Sequence, residues 1–321
     1  HRLIECLPEL RFAIFHVAAT RDEPPPPVYP IPANVVELKR LGIHGGDEEP
    51  GPGRSPAPST LKSLRKFHEN LLLNDTQGFE QILRDLAPAA GAGSCPHELI
   101  YGKGSWELLL DLYENRAGNV SFVDYFWTWR FTHLPIFRLL HAEIPEASIY
   151  HTVTTGWAGL AATIARSRTK SPMILTEHGI YARERSLEID QAEWIYVQRQ
   201  APMTRSLGPG FFKELWTRLF YRLSRLTYAH ADLITTIFEG NRRAQIEDGA
   251  DPTRTLVIPN GVDVERFAAL GRKPRARHEL RVGFVGRVVP IKDVKTFIRA
   301  FKIVAELRPG ARAILVGPTD E

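Results

Sequence analysis

"ASIYHTVTTGWAGLAATIARSRTKSPMILTEHG", residues 147–179, decides the fold class. A short apolar run at 147–151 leads into a segment where Trp157, Leu160, Ala161 and Ile164 recur at helical spacing. A second apolar run, Met173 to Leu175, follows, ending in Glu177, His178 and Gly179. Short apolar strands alternating with helices predict parallel sheets covered on both faces.

The same rhythm extends outward in both directions. Towards the start, "RFAIFHVA" (11–18) and "NVVEL" (34–38) read as strands on either side of four prolines, Pro24 to Pro27. Residues 45–60 are rich in Gly, Pro, Ser and acid and read as a flexible insertion. "LKSLRKFHENLLL" and "FEQILRDLAP" have helical spacing, and "GAGSCP" reads as a loop. "SWELLLDLYENR" and the aromatic "SFVDYFWTWRFTHLPIFRLLHAEI" read as two helices joined by a turn. Beyond 179, a long helical region near 184–230, a strand at 232–238, a helix at 240–248 and a strand and turn at 254–263 complete a first body. A basic, proline-containing linker precedes "RVGFVGR", "DVKTFIRAFKIVAELRP" and "ARAILVG", a second strand, helix, strand unit. Its helix carries a stripe of Val294, Phe297, Ile298, Phe301, Val304 and Leu307, with Asp293 as N-cap.

Composition narrows the classes. At 321 residues the chain accommodates two domains, and 43% apolar with 24% charged residues is the balance of a soluble globular protein. No run is long and apolar enough to span a bilayer, and no signal peptide is recognisable. Two cysteines, Cys6 and Cys95, without metal-ligand spacing, argue against a disulfide framework and for a reducing compartment. The net charge of +4 is uneven, since residues 266–321 hold 13 basic against 5 acidic side chains. That tail suits phosphates or an anionic surface. Aromatic residues are not interleaved with its cations, so nucleic acid is not expected as a partner.

In open parallel sheets, ligands bind beyond the carboxyl ends of the strands. Those ends supply His151, the Glu177-His178-Gly179 run, Glu239, Asn260 and Gly286-Arg287. "GRVVPIKD" is the sharpest of them. Gly286 permits a tight turn, and Arg287 and Lys292 flank a loop feeding a helix N-terminus, an arrangement suited to a diphosphate. A basic surface loop explains the same residues. "TTGWAGLAA" is not a dinucleotide fingerprint, and close helix packing explains Gly156 and Gly159 better than a ligand does. Asn260-Gly261 fits an ordinary turn with positive φ. His178 is either a structural imidazole or a general base. Arg183 and Arg185 either contact an anionic substrate or solvate a helix start, Arg183 then pairing with Glu184 or Glu188.

Taken together, "ADLITTIFEGNRRAQIEDGADPTRTLVIPNGVDVERF" and "VGFVGRVVPIKDVKTFIRAFKIVAELRPGARAILVGPTDE" resemble the domain junction of family 4 glycosyltransferases of the GT-B fold. Residues 149–189 with "AEWI" (192–195), and "LPELRFAIF" near the start, are similar to PelF-type transferases of bacterial exopolysaccharide (Pel) and biofilm synthesis. The resemblance implies two Rossmann-like, doubly wound parallel-sheet domains: residues 1–265 on the acceptor side, a linker at 266–280, and the start of a nucleotide-sugar domain at 281–321. It implies a retaining transfer of a hexose from a UDP-sugar, UDP-glucose in the PelF case, to a polysaccharide acceptor. Arg287 and Lys292 match the pair that binds the donor diphosphate, and His178 the histidine facing sugar and acceptor; these three form the expected catalytic set. Gly286, His151, Glu177, Gly179, Arg183, Glu239 and Asn260 complete the expected donor and acceptor contacts. No metal or other cofactor is expected, because the two cations take over charge stabilisation. A cytoplasmic place, peripheral at the inner membrane within a synthase complex, follows from the resemblance. The family's first strand with its Gly-rich loop, and its paired-glutamate motif E-x7-E, have no match here. The chain is therefore expected to be a fragment, truncated at both ends and inactive in isolation. A non-catalytic nucleotide-sugar-binding or assembly subunit is the alternative.

Overall fold

The computed structural model describes residues 2–20, 30–44, 55–72, 79–87, 95–117, 120–191, 210–269, 280–289 and 292–318. They divide into two units, His1–Pro259 and Asn260–Glu321. Every strand pair in either unit is parallel, which is the α/β class expected and is consistent with the GT-B type. The division falls ahead of the expected 265, and residues 270–279 of the expected linker lie outside the described residues.

In the first unit the strands fall into two sheets. β1 (Phe12–Ala18) pairs with β2 (Val35–Gly42), and β3 (Tyr150–Thr152), β4 (Met173–Glu177), β5 (Leu233–Thr236) and β6 (Thr255–Val257) form a four-stranded sheet in that order. Among the described residues, β1 and β3 each pair on one side only. A cavity of about 210 Å³ separates them, lined by Ala13 and Phe15 of β1, by His151 and Val153, and by Ala158 and Ala161.

Helices build the main core of this unit. α2 (Pro58–Leu72), α5 (Lys103–Arg116), α6 (Phe122–His141), α7 (Trp157–Thr169) and α9 (Phe211–His230) contribute Phe67, Leu109, Trp129, Leu160 and Leu219 to one core. Ser121 caps α6 by accepting from the Asp124 N–H. The Trp157, Leu160, Ala161, Ile164 face of α7 packs into that core as its spacing predicts. Gly159 shows why: a Cβ there would lie 2.6 Å from Thr227 Oγ1 of α9 and 2.8 Å from the Thr154 carbonyl oxygen. Close helix packing is thus the observed reason for this glycine.

Three local expectations change. α2 begins at Pro58, inside the stretch read as an insertion, because proline suits the first helical position; residues 45–54 lie outside the described residues. Of "GAGSCP", residues 91–94 lie outside the described residues, and Pro96 opens a short helix, α4 (Pro96–Tyr101), with Glu98 accepting from the Cys95 N–H at 3.2 Å. The long helical region resolves into α8 (Tyr181–Gln191) and α9; residues 192–209, with "AEWI", lie outside the described residues. Short helices α1 (Arg2–Cys6) and α3 (Phe79–Leu86), with α10 (Glu239–Glu247), complete this unit.

The second unit holds α11 (Val264–Ala269), β7 (Arg281–Val285), α12 (Val294–Leu307) and β8 (Arg312–Val316). Asp293 caps α12 as expected, accepting from the Thr296 N–H. Of the predicted stripe, Val294 is buried and Phe297 meets Phe284 at 5.4 Å between ring centroids, while Ile298 and Leu307 stay exposed. Two strands offer too little sheet to bury the whole face.

Candidate functional site

The strand ends of the four-stranded sheet gather most of the expected residues of the first unit. Alternation along β4 places Met173, Leu175 and Glu177 inside, so the next residue, His178, faces outward and is exposed. Its backbone is held, since Asn241 Nδ2 donates to the His178 carbonyl at 2.6 Å. Gly179 lies beneath the Glu184 carboxylate, which a Cβ at that position would meet.

Glu177 is 1% exposed and its oxygens are engaged within the fold. Oε1 accepts from the Tyr181 N–H (3.1 Å) and Thr155 Oγ1 (3.2 Å); Oε2 accepts from the Tyr228 hydroxyl (2.8 Å) and Gln245 Nε2 (2.9 Å). Burial raises the carboxyl above its ordinary pKa, and the four donors oppose that rise. Sequence reasoning placed Glu177 among ligand contacts. The structure surrounds it instead with donors from α8, α9, α10 and the loop after β3. Alternation within the strand signalled that Glu177 and His178 diverge, but Tyr228 and Gln245 lie too far along the chain to be foreseen as partners.

His151 is the middle residue of β3 and continues a polar row across the sheet. Thr235 Oγ1 lies 3.3 Å from the Leu175 carbonyl oxygen and 2.8 Å from Thr176 Oγ1, and Thr176 Oγ1 lies 2.9 Å from His151 Nε2. Burial holds this imidazole below its usual pKa.

Arg183 turns away from the strand ends. It binds Asp248 (3.0 Å) and Glu247 (2.9 Å) at the end of α10, not the Glu184 or Glu188 its neighbours offered, and these hydrogen bonds raise its pKa. Helix packing brings the two acids within reach from 64 and 65 residues away, which no local spacing reveals. Arg185 takes Glu188 and lies over the Tyr181 ring. Glu239 opens α10 and pairs with Arg242 at 3.2 Å. Asn260 is exposed. Neither it nor Gly261 has positive φ, so the left-handed turn suggested by the dipeptide does not form.

In the second unit, Gly286 and Arg287 follow β7, and Lys292 immediately precedes the capped start of α12. Both cations are exposed. The Gly286 N–H donates to Val316 O and the Val288 N–H to Pro318 O, each at 2.9 Å. A Cβ on Gly286 meets nothing closer than 3.6 Å, whereas one on Gly317 would lie 1.8 Å from the Gly286 carbonyl oxygen. An exposed cation pair beside a helix N-terminus can bind a diphosphate.

Among the described residues, no three His, Cys, Asp or Glu side chains gather as a metal site, and no helix is long and apolar enough to cross a membrane. Residues 1–253 match the family model described as a domain of unknown function (DUF3492). Over 183 residues, 55% of the chain, the sequence is 27% identical to a D-inositol 3-phosphate glycosyltransferase of Actinosynnema mirum, covering 37% of that protein. Over 168 residues, 50% of the chain, it is 28% identical to a D-inositol 3-phosphate glycosyltransferase of Geodermatophilus obscurus, covering 31% of it. A stretch of 75 residues, 21% of the chain, is 39% identical to the protein of the same name from Segniliparus rotundus, covering 16% of it. The chain thus spans about a third of the length of the first two relatives.

Proposed function

The chain belongs to the family described as a domain of unknown function (DUF3492), and from that premise we propose that it is a sugar-transferring protein: a retaining, family 4-type glycosyltransferase of the PelF kind. On this reading it moves a hexose from a UDP-sugar, UDP-glucose first among them, to a growing exopolysaccharide. The observation that carries the proposal is the likeness, over half the chain, to proteins named D-inositol 3-phosphate glycosyltransferase.

The chemistry follows from charge. As the sugar leaves, negative charge builds on the departing phosphate, and Arg287, after β7, and Lys292, before α12, are the cations assigned on this reading to stabilise it. His178, exposed and held by its backbone, is the group assigned to the sugar and acceptor. With the leaving phosphate taking the acceptor proton, no protein nucleophile and no metal is required. The gap between β1 and β3 supports the further reading that the first domain takes one more parallel strand there. Association with a membrane-bound synthase complex belongs to the same proposal.

The test is a panel of nucleotide sugars offered to the complete protein, following release of nucleoside diphosphate. Arg287→Ala and Lys292→Ala should each lower turnover by about 100-fold or more, the scale of losing one charge-stabilising group. Rates near the parent's in both variants would overturn the assignment.

A further inference from the structure

We propose that Glu177 is a positioning residue: its buried carboxylate holds the N-terminus of α8 against α9 and α10 and thereby sets the His178-Gly179 turn at the rim of the sheet. This rests on the reading of His178 as the residue that faces the sugar.

Four neutral donors converge on the two oxygens, each from a different segment: Thr155 after β3, the Tyr181 amide opening α8, Tyr228 of α9 and Gln245 of α10. Burying a carboxylate is unfavourable, and an apolar side chain would fill the space at lower cost. What the carboxylate adds is a directed hold on all four segments at one point. That point is the residue before His178. The flanking backbone is held as well, with Thr236 Oγ1 donating to the Glu177 carbonyl (2.9 Å) and Asn241 Nδ2 to that of His178 (2.6 Å). Gln245 supplies an independent mark. It is fully buried and turns its Nε2 to Glu177, leaving its Oε1 without a partner, an orientation that only an acceptor at 177 supports.

The experiment compares amide hydrogen exchange and steady-state transfer in the complete protein. In Glu177→Ala, exchange across 178–184 should rise about tenfold or more, most at Tyr181, with the core of α7 unchanged. In the same variant kcat should fall about tenfold or more while KM for the UDP-sugar moves less than about twofold, because positioning is lost and donor binding is kept. Glu177→Gln should recover most of both, since Gln245 can turn its amide so that Oε1 accepts from the new side chain. Should Glu177→Ala not fold, the double variant Tyr228→Phe with Gln245→Leu strips both donors from Oε2, and exchange at Tyr181 should rise about threefold or more. Unchanged exchange at Tyr181 overturns the proposal, as does local loosening with kcat intact. If the parent transfers no sugar from any donor, the functional reading falls separately, and exchange alone decides whether Glu177 holds the turn.

Discussion

Two adjacent residues, Glu177 and His178, face opposite ways. Strand alternation sends the carboxylate into a nest of donors and the imidazole outward. His178→Ala should therefore lower transfer by about tenfold or more with nucleotide affinity nearly unchanged; equal losses of binding and turnover, measured by calorimetry and product release, would indicate a structural role instead. Two glycines also differ. Gly159→Ala puts a Cβ against Thr227 and a backbone carbonyl, and such overpacking should cost about 1–3 kcal/mol in denaturant titration. Gly286→Ala puts a Cβ in ordinary van der Waals contact with the Phe284 ring at 3.6 Å and should leave stability within about 0.5 kcal/mol. The sequence alone suggested close packing at Gly159, but not the close approach of Gly317 to the Gly286 carbonyl, because that contact comes from the neighbouring strand.

At the scale of elements, α2 and α6 are joined by a buried chain of polar rings. His133 Nδ1 lies 2.9 Å from the Trp129 carbonyl and must donate to it, so its Nε2 accepts from His68 Nδ1 (3.3 Å), and His68 Nε2 accepts from the Tyr125 hydroxyl (2.8 Å). Burial and the neighbouring His68 hold His133 well below the usual histidine pKa, and burial with Arg130 and Arg138 lowers His44 to about 4. Both are neutral when folded, whereas unfolded histidines protonate below about 6.5. The unfolded chain therefore binds more protons as pH falls, and stability should drop from about pH 6.5 downward, His44 contributing until about pH 4. Urea midpoints at pH 7.5 and 5.5 measure this; equal midpoints would contradict the neutral assignment. His133→Gln should flatten the dependence and cost about 1–3 kcal/mol, since a buried partner is lost. The aromatic helix was legible from its spacing, and Asp293 as cap from its place before an apolar stripe. The pairing of His68 with His133 was not, since the two meet only when α2 packs on α6.

For the whole molecule, two parallel α/β units follow from alternating strands and helices, while the distribution of exposed apolar surface does not. Leu256 of β6, Val153 and Ile258 just past β3 and β6, and Val285 and Leu307 in the second unit remain more than half exposed. Open parallel edges and uncovered apolar faces favour association, so the 321-residue chain by itself should self-associate at micromolar concentration in light scattering. A monodisperse monomer would count against that. What the sequence determined by itself is the class of fold, the placing of strand ends and the cationic loop, because period and composition are local properties. What only tertiary structure decided is which charges are spent inside the fold. Glu177 and Arg183 looked like ligand contacts, and packing gave them Tyr228, Gln245, Glu247 and Asp248. Burial and long-range partners exist only once α9 and α10 lie against the sheet, and they, not residue type, determine whether a charge can meet a ligand.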